Sequence, residues 1–599
     1  MDKILKGLSV ARGIITALFL VGCAIFTPAP ATASVVRPSS STVPLASPVL
    51  SSGATYYVRP DGGSAGQCTG RVDAAYSGSG TGQPCAWNHP FQALPPGGSP
   101  RITGGDTLII GTGAYKMGYG ASGAESCDYE ASYDCHMPPV PSGPDPAHPT
   151  RLLGAGWDGG CVAPPQLWGS GRPWYILNLT DSSNVEVACL EITDHSSCIE
   201  DHLFPTGGSP YTCQRDTPPY GDWAAVGLYA EDSANVHLKD LNIHGLANTG
   251  VLAGRLTDWT VENVRIVGNG LAGWDGDIDG EDANTGTLTF RHWVVAWNGC
   301  GETYPDGQHL GCWGQEAGGY GDGVGTGTIG GHWIIEDSAF LNNTSDGLDL
   351  LYARLPGSVI EIRRTIAEGN DGNQIKVTTA QATIENTIVV GNCGHFHGMP
   401  YWNNTDDCRA GGDALALDLR PGGQVTLVNN TITGEGNCLM IASCALDQTC
   451  TGSEKVLVRN TLFQGQKIFF DPQEDTCFAW YDNESSSPLP ANPFVVDYSL
   501  INSIRSGNVT PCPGPHNLCD VAPGIASTTI DSFDAHLLAG SPAINAGTPD
   551  GAPAMDFDNH ARDGTPDIGA YEWQQISMWL YLPNIFRFAV KTAMLLAKK

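Results

Sequence analysis

Basic residues are scarce in this sequence, and their scarcity argues against one class of partner. Only 30 lysines and arginines stand against 62 aspartates and glutamates in 599 residues, which gives a formal net charge of −32. We expect no nucleic-acid partner, because neutralising phosphates requires clustered basic side chains. An acidic polysaccharide could bind so acidic a chain only if a cation bridged the two.

Charged residues of either sign are also few. They make up 15% of the chain, too little for long solvated helices, whereas the 76 glycines suit many short strands joined by tight turns. The cysteines show no CxxC spacing and the histidines no HExxH spacing, so the common zinc sites are not expected.

The N-terminus carries the pattern of an export signal. Basic residues precede an apolar run from Ile14 to Phe26, and a small-residue cleavage site ends at Ala33. We therefore predict a signal peptide over 1–33 and a secreted or surface-attached protein. A competing interpretation is a lipoprotein signal with Cys23 as the lipidated residue.

Two further segments lie outside any predicted folded domain. Residues 34–53 are rich in Ser, Pro and Thr, which predicts a flexible linker. Residues 574–599 form an apolar tail interrupted by basic residues, too charged for a confident membrane span but able to lie on a membrane surface. Attachment through a terminus is weighed evenly against a frayed tail.

Cysteine usage fits export. Setting Cys23 aside leaves 18 of the 19 cysteines, an even number in a chain that would meet an oxidising compartment. Several lie close together across loop-like stretches, which predicts disulfides that staple long loops. The neighbouring cysteines are Cys68 and Cys85, Cys127 and Cys135, Cys198 and Cys213, Cys300 and Cys312, Cys393 and Cys408, and Cys512 and Cys519.

A repeat decides the predicted fold. Eight short segments each contain a polar residue, usually Asn or Asp, followed by a small residue and then an aliphatic one, with no amphipathic helix between them. Their closing apolar residues lie 22 to 45 residues apart, and the long gaps contain cysteine-bearing loops. These closing residues are Ile243, Ile266, Val295, Phe340, Ile366, Ile388, Ile432 and Leu462.

We therefore predict an all-β, right-handed parallel β-helix over 54–530, with coils of about 22 to 26 residues and long disulfide-stapled loops. The recurring Asn is expected to stack into a hydrogen-bonded ladder. A leucine-rich repeat lacks its Leu consensus here, and a propeller would need longer antiparallel blades. Residues 531–573 resemble the choice-of-anchor segment that closes many bacterial surface β-helix proteins, which implies a surface or secreted location. A monomer is expected.

Acidic residues recur at coil spacing in the middle of the predicted helix. Asp322 lies 24 residues before Asp346, and Asp349 lies 27 residues before Lys376, so stacking could bring the side chains together. Three carboxylates with carbonyls, a hydroxyl and waters could supply the six to eight oxygens that Ca²⁺ prefers. A lysine beside a cation would have a lowered pKa and could act as a base.

The motifs Asp322-Gly323, Ser345-Asp346-Gly347-Leu348-Asp349 and Gly372-Asn373-Gln374-Ile375-Lys376 resemble the active coils of family-nine pectate lyases, which are parallel β-helices. The resemblance implies a calcium-dependent polysaccharide lyase that cleaves a uronate-containing glycan by β-elimination. It places calcium on Asp322, Asp346 and Asp349 and makes Lys376 the base. The family usually has a pair of aspartates where this chain has Ser345-Asp346, so Ser345 would stand as a ligand in place of an aspartate.

Residues near these motifs are candidates for substrate binding. Asp413 and Arg420 fall on the next coil, where Arg420 could pair with a carboxylate. Trp313 and Tyr320 lie in a projecting insertion, where aromatic rings could stack on sugars or pack the loop.

Two other clusters could bind metal but are weaker. The segment 275–280 copies the start of a calcium loop, but Gly286 stands where that loop needs Glu. His395 and His397, near Asp406 and Asp407, lie in a cysteine-bounded loop and are more simply surface residues.

Two other functions remain open. An inverting glycoside hydrolase on the same fold would need an acid and a base carboxylate about 6.5–9.5 Å apart and would give Lys376 no role. A non-catalytic surface protein that binds or displays glycan would fit the acidic charge and the C-terminal segment.

Overall fold

A computed structural model describes residues 53–200, 212–214, 217–278, 283–314, 320–399, 402, 407–446 and 448–574. The predicted signal peptide with Cys23, nearly all of the linker and nearly all of the tail lie outside these ranges. In the part of the chain that is described, no helix is long and apolar enough to cross a membrane.

The described residues form short strands with only single-turn 3₁₀ helices between them. The strands of the first half are β1 Thr55–Gly63, β2 Thr107–Ile110, β3 Ala114–Gly118, β4 Thr150–Gly154, β5 Gln166–Ser170, β6 Tyr175–Asn178, β7 Ser183–Asp194, β8 Val226–Glu231, β9 Ala234–His244, β10 Thr249–Gly254, β11 Thr260–Val267, β12 Trp274–Gly276, β13 Thr287–Arg291, β14 Val294–Ala296, β15 Cys300–Glu302, β16 His309–Cys312, β17 Val324–Thr326, β18 His332–Glu336 and β19 Ala339–Leu341.

The strands of the second half are β20 Leu348–Leu350, β21 Val359–Arg363, β22 Ile366–Glu368, β23 Ile375–Glu385, β24 Ile388–Gly391, β25 Leu415–Val428, β26 Thr431–Gly434, β27 Cys438–Cys444, β28 Lys455–Arg459, β29 Leu462–Gly465, β30 Lys467–Ile468, β31 Asp471–Asp475, β32 Cys477–Tyr481, β33 Phe494–Asp497, β34 Leu500–Asn502, β35 Leu518–Cys519, β36 Ile525–Ser527 and β37 Asp534–Leu537. The 3₁₀ helices are Pro90–Gln92, Ser132–Asp134, Arg409–Gly411 and Ile530–Ser532.

Parallel pairing winds these strands into coils with three faces. Sheet 1 runs β6, β8, β10, β12, β17, β20, β23, β25, β27, β32. Sheet 2 begins with β1, β2, β4 and continues through β7, β9, β11, β13, β18 and β21 to β33. Sheet 3 begins with β3 and β5 and continues through β14, β19 and β22 to β35. The prediction of a parallel β-helix is confirmed.

The recurring polar position of the sequence repeat is the corner between sheets 2 and 3. At this corner the backbone is left-handed, with φ between 45° and 54°, a conformation that Asn and Asp tolerate better than most residues. The selection is therefore for backbone conformation rather than for an amide ladder alone. The corner residues are Asp240, Asn263, His292, Asp337, Arg364, Asn386, Asn429 and Asn460.

A continuous amide ladder exists, but at the corner that leads from sheet 3 to sheet 1. Asn269 donates to Asn298 at 2.9 Å, Asn298 to Asn343 at 2.9 Å, and Asn343 to Asn370 at 2.8 Å, all with buried side chains. Each amide also accepts from a backbone N–H of the preceding coil, so the ladder satisfies polar groups that a buried corner would otherwise leave unpaired. The predicted ladder is real, but its main position was wrong.

Large aromatic side chains fill the centre of the helix where the coils widen. Trp274, Phe290, Trp293, Trp333 and Phe340 are essentially inaccessible to solvent. The Phe290 and Trp293 rings stack with centroids 4.5 Å apart, and the Trp293 and Phe340 rings meet edge to face at 5.5 Å. This packing makes the central coils, which carry the acidic motifs, a rigid support.

All six disulfides predicted from sequence proximity are present. Three more were not predicted: Cys161–Cys189, Cys438–Cys477 and Cys444–Cys450. Cys438 and Cys477 are register partners on adjacent strands β27 and β32, so this bond links two coils directly and could not be recognised as a loop staple.

The C-terminal segment packs along the outside of the helix. Phe533, Ile568 and Tyr571 belong to one buried cluster with Ile388 and Leu462 of sheet 3. The segment is also held by hydrogen bonds from the corner amides, because those of Asn386, Asn429 and Asn460 donate to its backbone carbonyls.

Candidate active site

Three aspartates meet where consecutive coils enter sheet 1. Asp322 and Asp346 stand two residues before β17 and β20, and the backbone N–H of Asp346 donates to Asp322 Oδ1 at 3.0 Å. The next coil repeats the bond, since Asn373 N donates to Asp346 Oδ1 at 2.7 Å. Each carboxylate thus keeps one oxygen on the backbone of the following coil, which fixes its rotamer and leaves the other oxygen for chemistry.

Asp349 and Lys376 are stacked register partners inside sheet 1. Asp349 of β20 pairs with Lys376 of β23, and the β17 residue in the same column is Gly325. A side chain at Gly325 would press against Asp322 Oδ2, so glycine keeps the space beside the aspartates open. Gly372 has a similar role, because a Cβ there would collide with Asp346 Oδ1.

The result is a compact, buried, acidic cluster with one ammonium group. One oxygen from each of Asp322, Asp346 and Asp349 lies within 4.8 Å of the other two. Lys376 Nζ donates to Asp346 Oδ2 at 2.5 Å and to Asp349 Oδ2 at 3.2 Å, and its side chain is 13% exposed. The cluster therefore holds three carboxyl groups against a single amine.

Burial and mutual repulsion perturb the acidic groups. Burial raises the pKa of Asp322 well above its ordinary range, and the charges of Asp346 and Asp349 raise it further. Burial also raises the pKa of Asp349 to about 6, although Lys376 opposes this. Perturbed carboxyls gathered in one place are characteristic of functional sites.

The lysine is held in its charged form. Burial lowers the pKa of Lys376, but the charges of Asp346, Asp349 and Asp322 outweigh burial, and its pKa is raised overall. The lowered pKa expected from the sequence concerned a lysine beside a cation. In this arrangement the ammonium instead pairs with two of the three predicted calcium ligands.

The donor set fits a hard divalent cation such as Ca²⁺. All its ligand atoms are oxygens, and carboxylate oxygens suit Ca²⁺ or Mg²⁺ better than zinc or copper. Asn373, whose side-chain nitrogen donates to Asp346 at 3.1 Å, has a buried side-chain oxygen with no hydrogen-bond partner. Ser345 is buried and its hydroxyl bonds to Asp322. Asp322, Asp346 and Asp349 are the residues that would hold the ion.

The predicted substrate-binding residues are more scattered. Asp413 is buried and accepts from Cys438 N at 2.8 Å, and burial raises its pKa to about 7. It therefore repeats the structural half of the Asp322 role two coils on. Arg420 of β25 lies four residues beyond the column of Lys376, about 13 Å along the strand. Trp313 and Tyr320 are half-buried, and 315–319 between them lie outside the described residues.

The two weaker metal predictions find little support in the described residues. Among those residues, the Asp322 cluster is the one group of three acidic, His or Cys side chains with suitable spacing. His397 is exposed and pairs with Asp407 at 2.7 Å, while Asp406 lies outside the described ranges. Asp275 Oδ1 accepts from Asp277 N at 2.8 Å, and residues 279 and 280 are likewise not described.

Sequence reasoning assigned no role to Asn373 or Gly325. Asn373 stood inside a quoted motif, but its double bond to Asp346 depends on which residue stacks on which, and this becomes visible only with the register. Gly325 could have been found from the column it shares with Asp349 and Lys376. The signal was the absence of a side chain at an outward position of a strand.

A buried ionic clamp anchors the hairpin that leads toward the cluster. His244 Nδ1 bonds to Glu302 of β15 at 2.9 Å, and its Nε2 bonds to Glu191 at 3.1 Å. Burial lowers the pKa of His244, but Glu191 and Glu302 outweigh burial and raise it to about 9. The imidazolium therefore fastens the β15–β16 hairpin to sheet 3 at neutral pH.

This clamp predicts a loss of stability in alkali. Because the folded-state pKa of His244 is raised to about 9, its contribution is full below pH 6.5 and disappears as the pH rises through 9. A shift of this size corresponds to at most about 3 kcal/mol. Urea unfolding at pH 6 and pH 9.5 should show the stability difference between wild type and His244→Gln shrinking by up to that amount. An identical pH dependence in both proteins would show that His244 is not the linked group.

Comparisons with known proteins do not assign a family. No family model and no curated protein matches the chain. Among solved structures, the pectate lyase Pel9A aligns over 88% of this chain and 98% of its own, with 14% identity and a TM-score of 0.38. The mannuronan C-5 epimerase AlgE4 A-module of Azotobacter vinelandii aligns over 69% and 89%, with 12% identity and a TM-score of 0.35. An alginate lyase from Paenibacillus sp. str. FPU-7 aligns over 63% and 92%, with 14% identity and a TM-score of 0.30.

Proposed function

We propose that this protein is a secreted, calcium-dependent polysaccharide lyase that cleaves a uronate-containing glycan, such as pectate, by β-elimination. The observation that carries the proposal is the cluster itself. Three buried carboxylates from two consecutive coils share one small space, and a lysine from the third coil donates to two of them. The nine disulfides support export, because such bonds persist in oxidising compartments.

The reaction removes a proton from the carbon beside the uronate carboxylate and expels the glycosidic oxygen from the next carbon, leaving a carbon–carbon double bond. Lys376 Nζ is the group that would take the proton, and the backbone bonds to Asp322 and Asp346 keep the site rigid while it does so. A bound Ca²⁺ would acidify that C–H by neutralising the uronate carboxylate, and would lower the pKa of Lys376 by taking over its carboxylate partners.

The cluster suits a hydrolase less well. Oxygens of the three aspartates lie within 4.8 Å of one another, whereas an inverting hydrolase separates its two carboxyls by about 6.5–9.5 Å to admit a water. A hydrolase also has no need for an amine that donates to both carboxylates. The lyase gives every member of the cluster a role.

Absorbance of the unsaturated uronate product tests the proposal directly. The full-length protein is mixed with pectate, alginate and other acidic glycans, once with Ca²⁺ and once with a chelator. We expect absorbance to rise only with Ca²⁺ and only on a uronate polymer. Reducing ends without an absorbance rise would indicate a hydrolase. Neither signal from a correctly folded protein would leave a glycan-binding surface protein.

A further inference from the structure

A second cleft lies on the same corner of the helix as the aspartate cluster. It has a volume of about 190 Å³ and is lined in part by Lys116, Tyr119, Tyr129, Ser170 and Asp222. This volume is below the roughly 300 Å³ at which drug-sized ligand pockets begin, so the cleft fits a unit of about one sugar ring. None of these five residues belongs to the site described above.

The cleft and the cluster are aligned along the helix. Asp222 stands on the chain that leads from sheet 3 into β8, and Asp322 stands on the equivalent chain leading into β17. Three strand steps separate β8 from β17, through β10 and β12. At about 4.8 Å a step, the two sites lie about 14 Å apart along the axis. A polymer of several sugar units running along this corner could touch both.

Aromatic rings give the cleft an apolar face. Tyr119 and Tyr129 are 37% and 41% exposed, and their rings meet edge to face with centroids 5.6 Å apart. Rings held this way offer rigid, flat, amphipathic surfaces on which the C–H face of a sugar can pack. Gly171, with φ of 77°, lies against Tyr119, where a side chain would crowd that ring.

Lys116 gives the cleft a positive charge that the protein does not use. Its ammonium group lies close to Gly120, and within the described residues it has no hydrogen bond or ion pair. An unpaired lysine is notable in a chain with 62 acidic residues and only 30 basic ones. Asp222, which accepts from Ser170 Oγ at 3.1 Å, adds an exposed acceptor for hydroxyl groups.

We propose that this cleft is a binding subsite for one uronate unit of an acidic glycan, with Tyr119 and Tyr129 against the sugar ring and Lys116 on its carboxylate. That the same glycan chain also reaches the aspartate cluster rests on the proposed function. Binding in the cleft itself requires neither Ca²⁺ nor turnover.

Calorimetry with hexamers of galacturonate and of alginate tests the subsite. The parent is the full-length protein carrying Lys376→Ala, so that the oligosaccharides stay intact, and chelator is present so that the cluster binds no cation. We expect Lys116→Gln and Tyr129→Ala each to weaken binding of one of these hexamers about tenfold. Lys467→Gln, at an exposed lysine paired with Asp475, is the matched control and should leave binding unchanged.

Methyl-esterified hexagalacturonate or the corresponding esterified alginate oligomer separates charge from packing. Its affinity should fall with Tyr129→Ala but not with Lys116→Gln, because the ester has no charge for the ammonium to bind. The subsite is overturned if neither hexamer binds, or if Lys116→Gln binds within twofold of the parent. Failure of the lyase proposal would appear separately, as absence of product from the wild-type protein, and would leave this comparison readable.

Discussion

Replacing Lys376 by alanine should reduce turnover about 10²–10⁴-fold, the usual contribution of a general base. The effect should fall on kcat more than on KM, because the proton is transferred only in the chemical step. Lys376→Arg is the sharper variant. Arginine keeps the positive charge beside Asp346 and Asp349 but stays protonated at every accessible pH, so it should be as inactive as alanine.

The matched control is Lys455→Ala, which removes an exposed lysine at the start of β28 on sheet 2 and should leave kcat unchanged. Rates are measured by the appearance of unsaturated product at saturating Ca²⁺, with urea unfolding to confirm that each variant is folded. An active Lys376→Arg protein would show that the amine is an electrostatic partner of the aspartates rather than the base.

The periodicity of the sequence was enough to predict the β-helix, because each coil repeats one pattern of apolar residues and one left-handed corner. It also brought Asp322, Asp346 and Asp349 together, since their spacing matches the coil. What it could not give is which of several polar residues in a coil faces which neighbour. The Asn position that stood out in the repeat serves the corner conformation, and the main amide ladder, at Asn269 and its successors, lies elsewhere.

The state of the lysine was also beyond sequence reasoning. Spacing predicts that Lys376 lies near the aspartates, but not that it is buried and donates to two of them. The direction of its pKa follows from the balance between burial and three nearby carboxylates, which needs the geometry. Asp413 shows the converse: it looked like a substrate contact, yet it is buried on the backbone of the next coil.

Replacing Asp349 by asparagine should weaken Ca²⁺ binding about 100-fold, because ligand charge is a main determinant of calcium affinity. Asp349 is the best position for this test. Its bond to the backbone of Leu351 uses one oxygen and can be kept by the amide, whereas Asp346 also holds the backbone and side chain of Asn373. The loss should therefore report on charge rather than on a damaged coil.

Asp413→Asn is the matched control, because Asp413 occupies the same kind of corner and bonds to the next backbone, but two coils from Lys376. It should change stability without changing Ca²⁺ affinity. Calorimetric titration with CaCl₂ at pH 8, above the pKa of about 6 that burial gives Asp349, measures both. Lys376→Ala should bind Ca²⁺ at least as tightly as wild type, because the ammonium no longer competes for the aspartates.

These three affinities together identify the site without any substrate. Weak binding by Asp349→Asn, unchanged binding by Asp413→Asn and undiminished binding by Lys376→Ala can be explained only if the ion and the lysine share the carboxylates. If Asp349→Asn binds as well as wild type, the cluster is not the calcium site. Lys376 would then be a buried counter-ion that stabilises three crowded acids, and a base would have to be sought on another coil.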